Sequence, residues 1–318
     1  MKIVFMGSPD FAVPSLRALA ESRHHVAAVV TQPDRPRGRG RKLIPTPVKQ
    51  LADLMGVAIL QPQKLSEIMN ELQEISPTVI VVVAFGRILS PEILGLPPLG
   101  CINVHASLLP KYRGSAPIHR AIINGEKVTG VTTMFMNSGL DTGDILFKGT
   151  EAIGDHETMG DLHDRMAESG ARLLIKTLDR LEAGEVVRET QNEKDATYAP
   201  PLGRDDEIIH WNKSAREIKN LVRGLNPWPG ARTYLNGKVL KIWSVEDLDN
   251  LQGTSSPGSV VDIDPDKGIV VETGKGKVLI TELQLQGRKR MDVAQFLRGY
   301  SPVQGQVLGN DTGEDGME

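Results

Sequence analysis

Residues 78–86, TVIVVVAFG, narrow most sharply what this chain can become. The run is almost unbroken in apolar and β-branched side chains, so both of its faces must be covered. A strand buried on both faces belongs in the middle of a sheet with helices on either side, the usual setting of parallel strands. Its surroundings agree. Short β-rich runs near 2–6, 26–31, 57–60, 78–84 and 101–105 alternate with helical patterns near 11–21, 47–55, 64–74 and 117–124, the order of repeated βαβ units. Two further strands, near 128–136 and 145–152, precede a helix over about 158–182. There Met159, Leu162, Met166, Leu173, Leu174, Leu178 and Leu181 recur at spacings of three and four, which makes a core-facing stripe.

The pattern loosens from about 184 to 206 through YAPPLGRDD and then changes character. One helix near 214–224 and a turn, LNPWPG, lead into short strands near 231–235, 238–245, 258–263, 268–273 and 277–285. NG, SSPG, DPDKG and GKG divide these strands, as in a small closed barrel. The expected architecture is therefore α/β: a Rossmann-like, mostly parallel sheet domain over 1–188 and a linker over 189–206. A small OB-like barrel would follow over 207–305, then a disordered acidic tail over 306–318.

No run approaches the roughly 18 apolar residues a membrane span needs. The chain enters the strand-like KIVFMG directly, with neither a signal-peptide nor a transit-peptide pattern. One cysteine, Cys101, excludes an internal disulfide framework and fits a reducing compartment. A cytoplasmic enzyme, monomeric and without a membrane partner, is the expectation. Net charge is −3, but Lys+Arg against Asp+Glu is 23 to 25 over 1–206, 14 to 11 over 207–305 and 0 to 4 over 306–318. A mildly basic C-terminal region is thus masked by an acidic end.

The stretch CINVHASLLPKYRGSAP, residues 101–117, carries the chemistry. If CINVH is a strand, its period of two puts Asn103 and His105 on one side and Ile102 and Val104 on the other. The strand stops at once, so the two polar groups sit at a C-terminal strand end, where open α/β sheets bind ligands. A capped strand with a satisfied His fits the pair equally well. Downstream, SGLDTGD at 138–144 supplies Asp141 in a Gly-flanked turn, where an Asp ordinarily bonds its own backbone. The three together are more informative. Asn offers an amide N–H to a developing oxyanion, His can hold or pass a proton, and a carboxylate beside the His would orient it and favour its charged form. Such a set suits acyl transfer to an amine, and without a Ser or Cys nucleophile it implies direct attack by the substrate.

INVHASLLPKYRGSAPIHRAI followed by GVTTMFMNSGLDTGDIL resembles the 10-formyltetrahydrofolate-dependent formyltransferases. The likeness runs from FMGSPDFAVPSL through TQPDRPRGRGRKLIPTPVK to NPWPGA and GRKRM, and only the acidic end lies outside it. Over this length it is closest in character to members that formylate the methionine carried by initiator tRNA. The resemblance implies that Asn103, His105 and Asp141 are the catalytic trio and that Ser107, Leu108, Leu109 and Pro110 hold the folate. It implies that Phe11, beside the first turn, lines a methionyl pocket, though packing in the core fits Phe11 as well. It also implies that the inserted basic loop contacts the tRNA acceptor stem through Arg35, Arg39, Arg41 and Lys42, with Arg37 outside the motif. A second, basic platform would lie on the C-terminal barrel: Arg216, Lys219 and Arg223 on one helix face, and Arg288, Lys289 and Arg290 near the last strand. Read without the resemblance, the barrel cations are an ordinary solvated surface, while the long, basic 34–42 loop suits phosphates or is a flexible solvated loop.

Other motifs are discounted. FMGSPDF has one glycine where a dinucleotide loop has three, so NAD is not expected. Histidines 24, 25, 119, 156, 163 and 210 are scattered, and no metal is expected. Cys101 begins a buried strand as inert packing. Three competing functions remain at this stage: formyl transfer to a small amine, hydrolysis of the formyl donor, and RNA binding by an inactive relative. The arginine loop and the C-terminal barrel favour tRNA over a small amine, and the intact trio favours an enzyme.

Overall fold

The computed structural model describes residues 1–37, 42–248, 255–300 and 302–309. The chain forms two compact units that are interleaved in sequence. One comprises Met1–Pro117, Val128–Ala152 and His163–Pro200; the other comprises Ile118–Lys127, Ile153–Leu162 and the chain from Pro201 onward.

The first unit is built on seven strands: β1 (Lys2–Gly7), β2 (His25–Val30), β5 (Ala58–Leu60), β6 (Val79–Val83), β7 (Cys101–His105), β8 (Val128–Phe135) and β9 (Ile145–Ala152). A separate hairpin pairs β3 (Arg35–Arg37) with β4 (Lys42–Ile44). The sheet order is β5-β2-β1-β6-β7-β8-β9, parallel from β5 to β7 and antiparallel across β8 and β9. The central run lies where its composition demands: Val79 to Val83 are each 3% exposed or less. Connecting helices carry their own start and stop signals. In the helix Pro47–Met55 the Thr46 hydroxyl accepts from the Lys49 N–H, Pro47 sits in the first turn, and Gly56 closes the helix at φ 65°. Of the stripe on the long helix Met159–Glu182, Met159, Leu162, Met166, Leu174 and Leu178 are buried, while Leu173 and Leu181 are half-buried.

The second unit holds a helix, Ala215–Gly224, and an antiparallel sheet of β10 (Ala231–Leu235), β11 (Lys238–Leu248), β12 (Val260–Asp264), β13 (Gly268–Glu272), β14 (Lys277–Leu285) and β15 (Met291–Asp292). The order is β10-β11-β14-β13-β12, with β15 on β14. Asn236 and Gly237, at φ 51° and 72°, make the two-residue turn between β10 and β11, the geometry that matches strand twist. Ile218, Val222, Leu225, Ile242, Val271, Val278, Ile280 and Leu283 form the core between helix and sheet.

Two expectations change here. Residues 306–309 are not a disordered tail. Val260 donates to Gln306 O, Leu308 to Gly258 O and Gly309 to Tyr234 O, so this segment ties the β12 side of the sheet to β10. Leu308, 4% exposed, explains why the segment stays: it plugs the core beside Trp211. Residues 310–318 lie outside the described residues. Nor is 189–206 a free linker, since 189–200 belong to the first unit. Ile145 and Glu189 exchange backbone hydrogen bonds, and Thr197 and Ala199 bond to Arg113.

The helix Ala215–Gly224 begins with a reciprocal Ser214–Glu217 cap, and its basic side chains turn inward. Arg216 reaches Asp155 at 2.5 Å and Asp247 at 2.7 Å, and Lys219 reaches Asp247 at 2.9 Å and Glu246 at 3.2 Å. Burial works against the ionised Asp155 carboxylate, but Arg216, with Lys127 and Lys219, holds its pKa down at about 2. A carboxylate depressed in the folded state stabilises above its unfolded value and loses that contribution as pH falls. Asp155 is 43% exposed, so solvent screening reduces the effect to about 1 kcal/mol. Asp155→Asn is therefore expected to lower stability by about that amount at neutral pH, the difference vanishing between about pH 4 and pH 2. Urea denaturation across that range checks it.

Candidate active site

β7 ends the parallel part of the sheet and presents its last polar side chains at its C-terminal edge. Ile102 and Val104 face the core at 0% and 3% exposure, and the two-residue period sends Asn103 and His105 the other way. The chain then turns sharply. Tyr112 adopts φ 59°, and its carbonyl accepts a hydrogen bond from His105 Nε2 at 3.0 Å. A carbonyl can only accept, so Nε2 carries the proton and the other ring nitrogen, Nδ1, is free to address the site. Nδ1 faces Asp141 Oδ2 at 3.6 Å.

Asp141 arrives from the β8–β9 turn at φ 53°, in the left-handed region that Asp tolerates better than most side chains. Its Oδ2 accepts from the Gly114 N–H at 2.8 Å, and its Oδ1 lies 3.5 Å from the Asn103 amide nitrogen. The three candidates named from sequence thus converge, with the carboxylate between the amide and the imidazole. An amide donor and an imidazole nitrogen beside a carboxylate can stabilise a negative oxygen, once that nitrogen is protonated, and move a proton next to it.

The SLLP segment divides into two kinds of residue. Ser107 and Leu109 are buried. The Ser107 hydroxyl donates to Lys111 O at 2.6 Å, and the Leu109 N–H donates to Thr132 Oγ1 at 3.2 Å. Thr132 in turn donates to Ser107 O at 2.6 Å. Leu109 packs with Met134 and Ile145. Leu108 and Pro110 are half-buried, so they, rather than Ser107 and Leu109, have surface to offer a ligand. Phe11 is buried and meets the His163 ring edge-on, with centroids 5.3 Å apart.

Among the basic candidates, Arg35 lies in β3 and donates to Gln32 Oε1 at 3.2 Å. Arg39 and Arg41 lie outside the described residues, and Lys42 is described by its backbone alone, in β4. Lys219 and Arg223 are corrections: both are buried, and their charges are spent internally. Arg223 donates to Asn220 Oδ1, Gly154 O and Glu157 O. Their shared helix face, read from spacing as a basic platform, is the packed face. Arg216 lies beside them with its two carboxylates. Arg288 and Lys289 are exposed, and Arg290 is exposed but paired with Glu282 and stacked 4.9 Å over Trp243.

Among the described residues one trio, His24, Asp179 and Glu182, gathers three metal-capable groups. Arg23 already bridges both carboxylates at 2.9 Å. Three contributors to the site were missed in the sequence: Thr132, Gly114 and Gln191. Thr132 stands opposite His105, but as one of three threonines in VTGVTTMF it carried no distinguishing signal. Gly114 acts through its backbone N–H and Gln191 through its side-chain amide, and neither carried a compositional signal.

With this geometry in hand, comparison with known proteins is direct. The family model described as formyl transferase matches residues 1–178, and that for the formyl transferase C-terminal domain matches residues 201–301. The chain belongs to the formyl transferase family. Relatives within it are methionyl-tRNA formyltransferases: that of Pelotomaculum thermopropionicum is 54% identical, covering 97% of this chain and 99% of the relative. That of Desulforamulus reducens is also 54% identical, covering 98% and 99%. Among solved structures, a sugar 3N-formyl transferase with dTDP and 5-N-formyl-THF aligns with a TM-score of 0.65 at 20% identity, covering 91% of this chain and 99% of that one. HypX from Aquifex aeolicus in complex with tetrahydrofolic acid aligns at 0.62 and 18%, covering 93% and 47%. These two likenesses speak to the fold.

Thr132→Val keeps the shape of the side chain but removes both of its hydrogen bonds inside the loop. Leaving the Leu109 N–H and Ser107 C=O buried without partners is expected to cost on the order of 1–3 kcal/mol, read as a lower urea midpoint with unchanged slope.

Proposed function

We propose that this protein transfers the formyl group of 10-formyltetrahydrofolate to the amino group of methionine on initiator methionyl-tRNA. The observation that carries the reading is the convergence of Asn103, His105 and Asp141 at one strand end, on a chain 54% identical over nearly its whole length to methionyl-tRNA formyltransferases.

In this reading the uncharged methionyl amine attacks the formyl carbon. A C–N bond forms, and the carbonyl oxygen takes the negative charge of a tetrahedral intermediate. The Asn103 amide and the His105 Nδ1–H, when the imidazole is protonated, stabilise that oxygen. Asp141 accepts the proton that the attacking nitrogen must lose, directly or through water. A proton delivered to the folate nitrogen lets the second C–N bond break, leaving formylated product and tetrahydrofolate. Leu108 and Pro110 offer the folate its contact surface, while Ser107 and Leu109 hold the loop in shape. Phe11 supplies a wall of the methionyl pocket by packing.

For the tRNA, the basic segment with Arg35, Arg39, Arg41 and Lys42 meets the acceptor stem, and Arg288, Lys289 and Arg290 contribute from the second unit. A monomer in the cytoplasm, where charged tRNA is made, accords with this role.

The test is formyl transfer to charged initiator Met-tRNA, with charged elongator Met-tRNA and free methionine alongside. Transfer confined to the initiator is expected. Donor hydrolysis without transfer would overturn the acceptor and leave only the folate site. Asp141→Asn keeps the shape of the turn and is expected to lower kcat by about 10²–10⁴-fold; an unchanged rate would remove Asp141 from the chemistry. Arg41→Ala is expected to weaken tRNA binding and reduce the slope of log affinity against log salt by about 0.7–0.9 while sparing folate affinity. Equal loss of folate affinity would refute the loop's assignment.

A further inference from the structure

We propose that Gln191, gripped by the buried guanidinium of Arg113, is a positioning residue that sets the Asp141 carboxylate for reaction. This rests on the reading above, in which Asp141 acts on the transferring nitrogen. Gln191 lies in the stretch that the sequence pattern assigns to a linker, and it is 6% exposed.

Its amide is saturated. Nε2 donates to Asp141 O at 2.7 Å and Gly143 O at 2.8 Å, while Oε1 accepts from Arg113 Nε at 3.0 Å and Nη2 at 2.9 Å. Two donors and one oxygen accepting twice are the full capacity of a primary amide. Arg113 is fully buried, and two of its three remaining N–H groups form a two-pronged pair with Glu193 at 2.9 and 2.8 Å. Glu193, and then Tyr198, hold its guanidinium above the ordinary value against the opposing effect of burial.

What makes this a relay rather than a local brace is where Arg113 sits. The residue before it, Tyr112, offers the carbonyl that orients His105, and the residue after it, Gly114, offers the N–H that holds Asp141 Oδ2. Arg113 itself is fixed by backbone hydrogen bonds with Thr197 and Ala199 at 2.8 and 2.7 Å. The Arg113–Gln191 contact therefore joins the segment that orients the imidazole to the backbone of the turn that bears the carboxylate. That turn needs holding, because Asp141 sits at φ 53°, a conformation that persists only where surroundings over-determine it. The two carbonyls that Gln191 grips, those of residues 141 and 143, belong to that strained turn.

The choice of amide over carboxylate follows. A Glu at this position would still satisfy Arg113, but it would turn an acceptor toward two carbonyls and lose both donors. Gln191→Glu thus separates the grip on the turn from the packing of the arginine. It is expected to lower kcat with Met-tRNA by about 10- to 100-fold, the scale of a displacement near 1 Å, with KM for each substrate within twofold and a lower melting temperature, since the Asp141 and Gly143 carbonyls lose their donors. Hydrogen exchange in the peptide spanning residues 139–145 should accelerate in the unliganded variant. Relative to the unsubstituted protein, activity should recover in part as pH falls, because the introduced carboxyl regains one donor on protonation. Gln191→Asn, which keeps the amide but shortens its reach, should show the same pattern more weakly and without the pH recovery.

Unchanged kcat and exchange in both variants would overturn the proposal. So would a loss in which kcat, both KM values and exchange across the whole first unit worsen together, since that is a merely structural role. If the unsubstituted protein formylates no Met-tRNA, the functional reading fails instead, and exchange in residues 139–145 alone decides whether Gln191 sets the turn.

Discussion

The carboxylate of Asp141 is the point on which the first unit's site depends. Three segments meet on it. β7 brings Asn103 and His105 to its two oxygens, the loop after β7 brings the Gly114 N–H, and the β8–β9 turn supplies Asp141 itself. Each contact is modest alone. Together they fix a charged group against donors that would otherwise be satisfied by water, in a turn whose backbone conformation is unfavourable for a residue with a side chain. An antiparallel β8 beside β7 sets Thr132 opposite His105 and Phe135 opposite Ile102, so the β8–β9 turn leaves the sheet beside the start of β7 and carries Asp141 back to Asn103 and His105.

The elements legible in the sequence were those written as periodicity. The unbroken apolar run at 78–84 is a central strand, the period of two in CINVH separates two polar from two buried residues, and NG marks a hairpin turn. Each is a local property that later folding has no reason to overrule. The convergence of Asn103, His105 and Asp141 was legible for a different reason, through resemblance; spacing alone left a capped strand and a self-bonded turn as adequate readings.

What stayed hidden was held by partners remote in sequence. Lys219 and Arg223 share a helix face with Arg216, which spacing shows, but spacing does not say whether that face is wet. It is dry because Asp155, Glu246 and Asp247 come from elsewhere in the same unit to neutralise it, and buried cations persist only when so paired. The stretch 189–200 has no hydrophobic period because it works through backbone and polar side chains, and those bonds fall on the loop at 110–116. Residues 306–309 read as a polar tail, yet one leucine and four backbone hydrogen bonds hold segment 305–309 across the sheet.

These features bear on how basic surface should be read in a chain of nearly neutral charge. The 14 cations of residues 207–305 outnumber the acids by three, but counting them as a polyanion platform overstates the case. Lys219 and Arg223 are consumed by the fold, Arg216 is doubly paired, and Arg290 divides its guanidinium between Glu282 and the face of Trp243. Arg288 and Lys289 remain exposed beside it, with no ion pair among the described residues. A phosphate backbone recruits cations that give up only water and counterions on binding; a cation already committed to a carboxylate must break that pair first. Among the described residues Lys238, Lys275 and Arg298 are likewise exposed with no ion pair, so the unspent positive charge of this unit lies at the β14–β15 turn and at these scattered positions rather than on the helix.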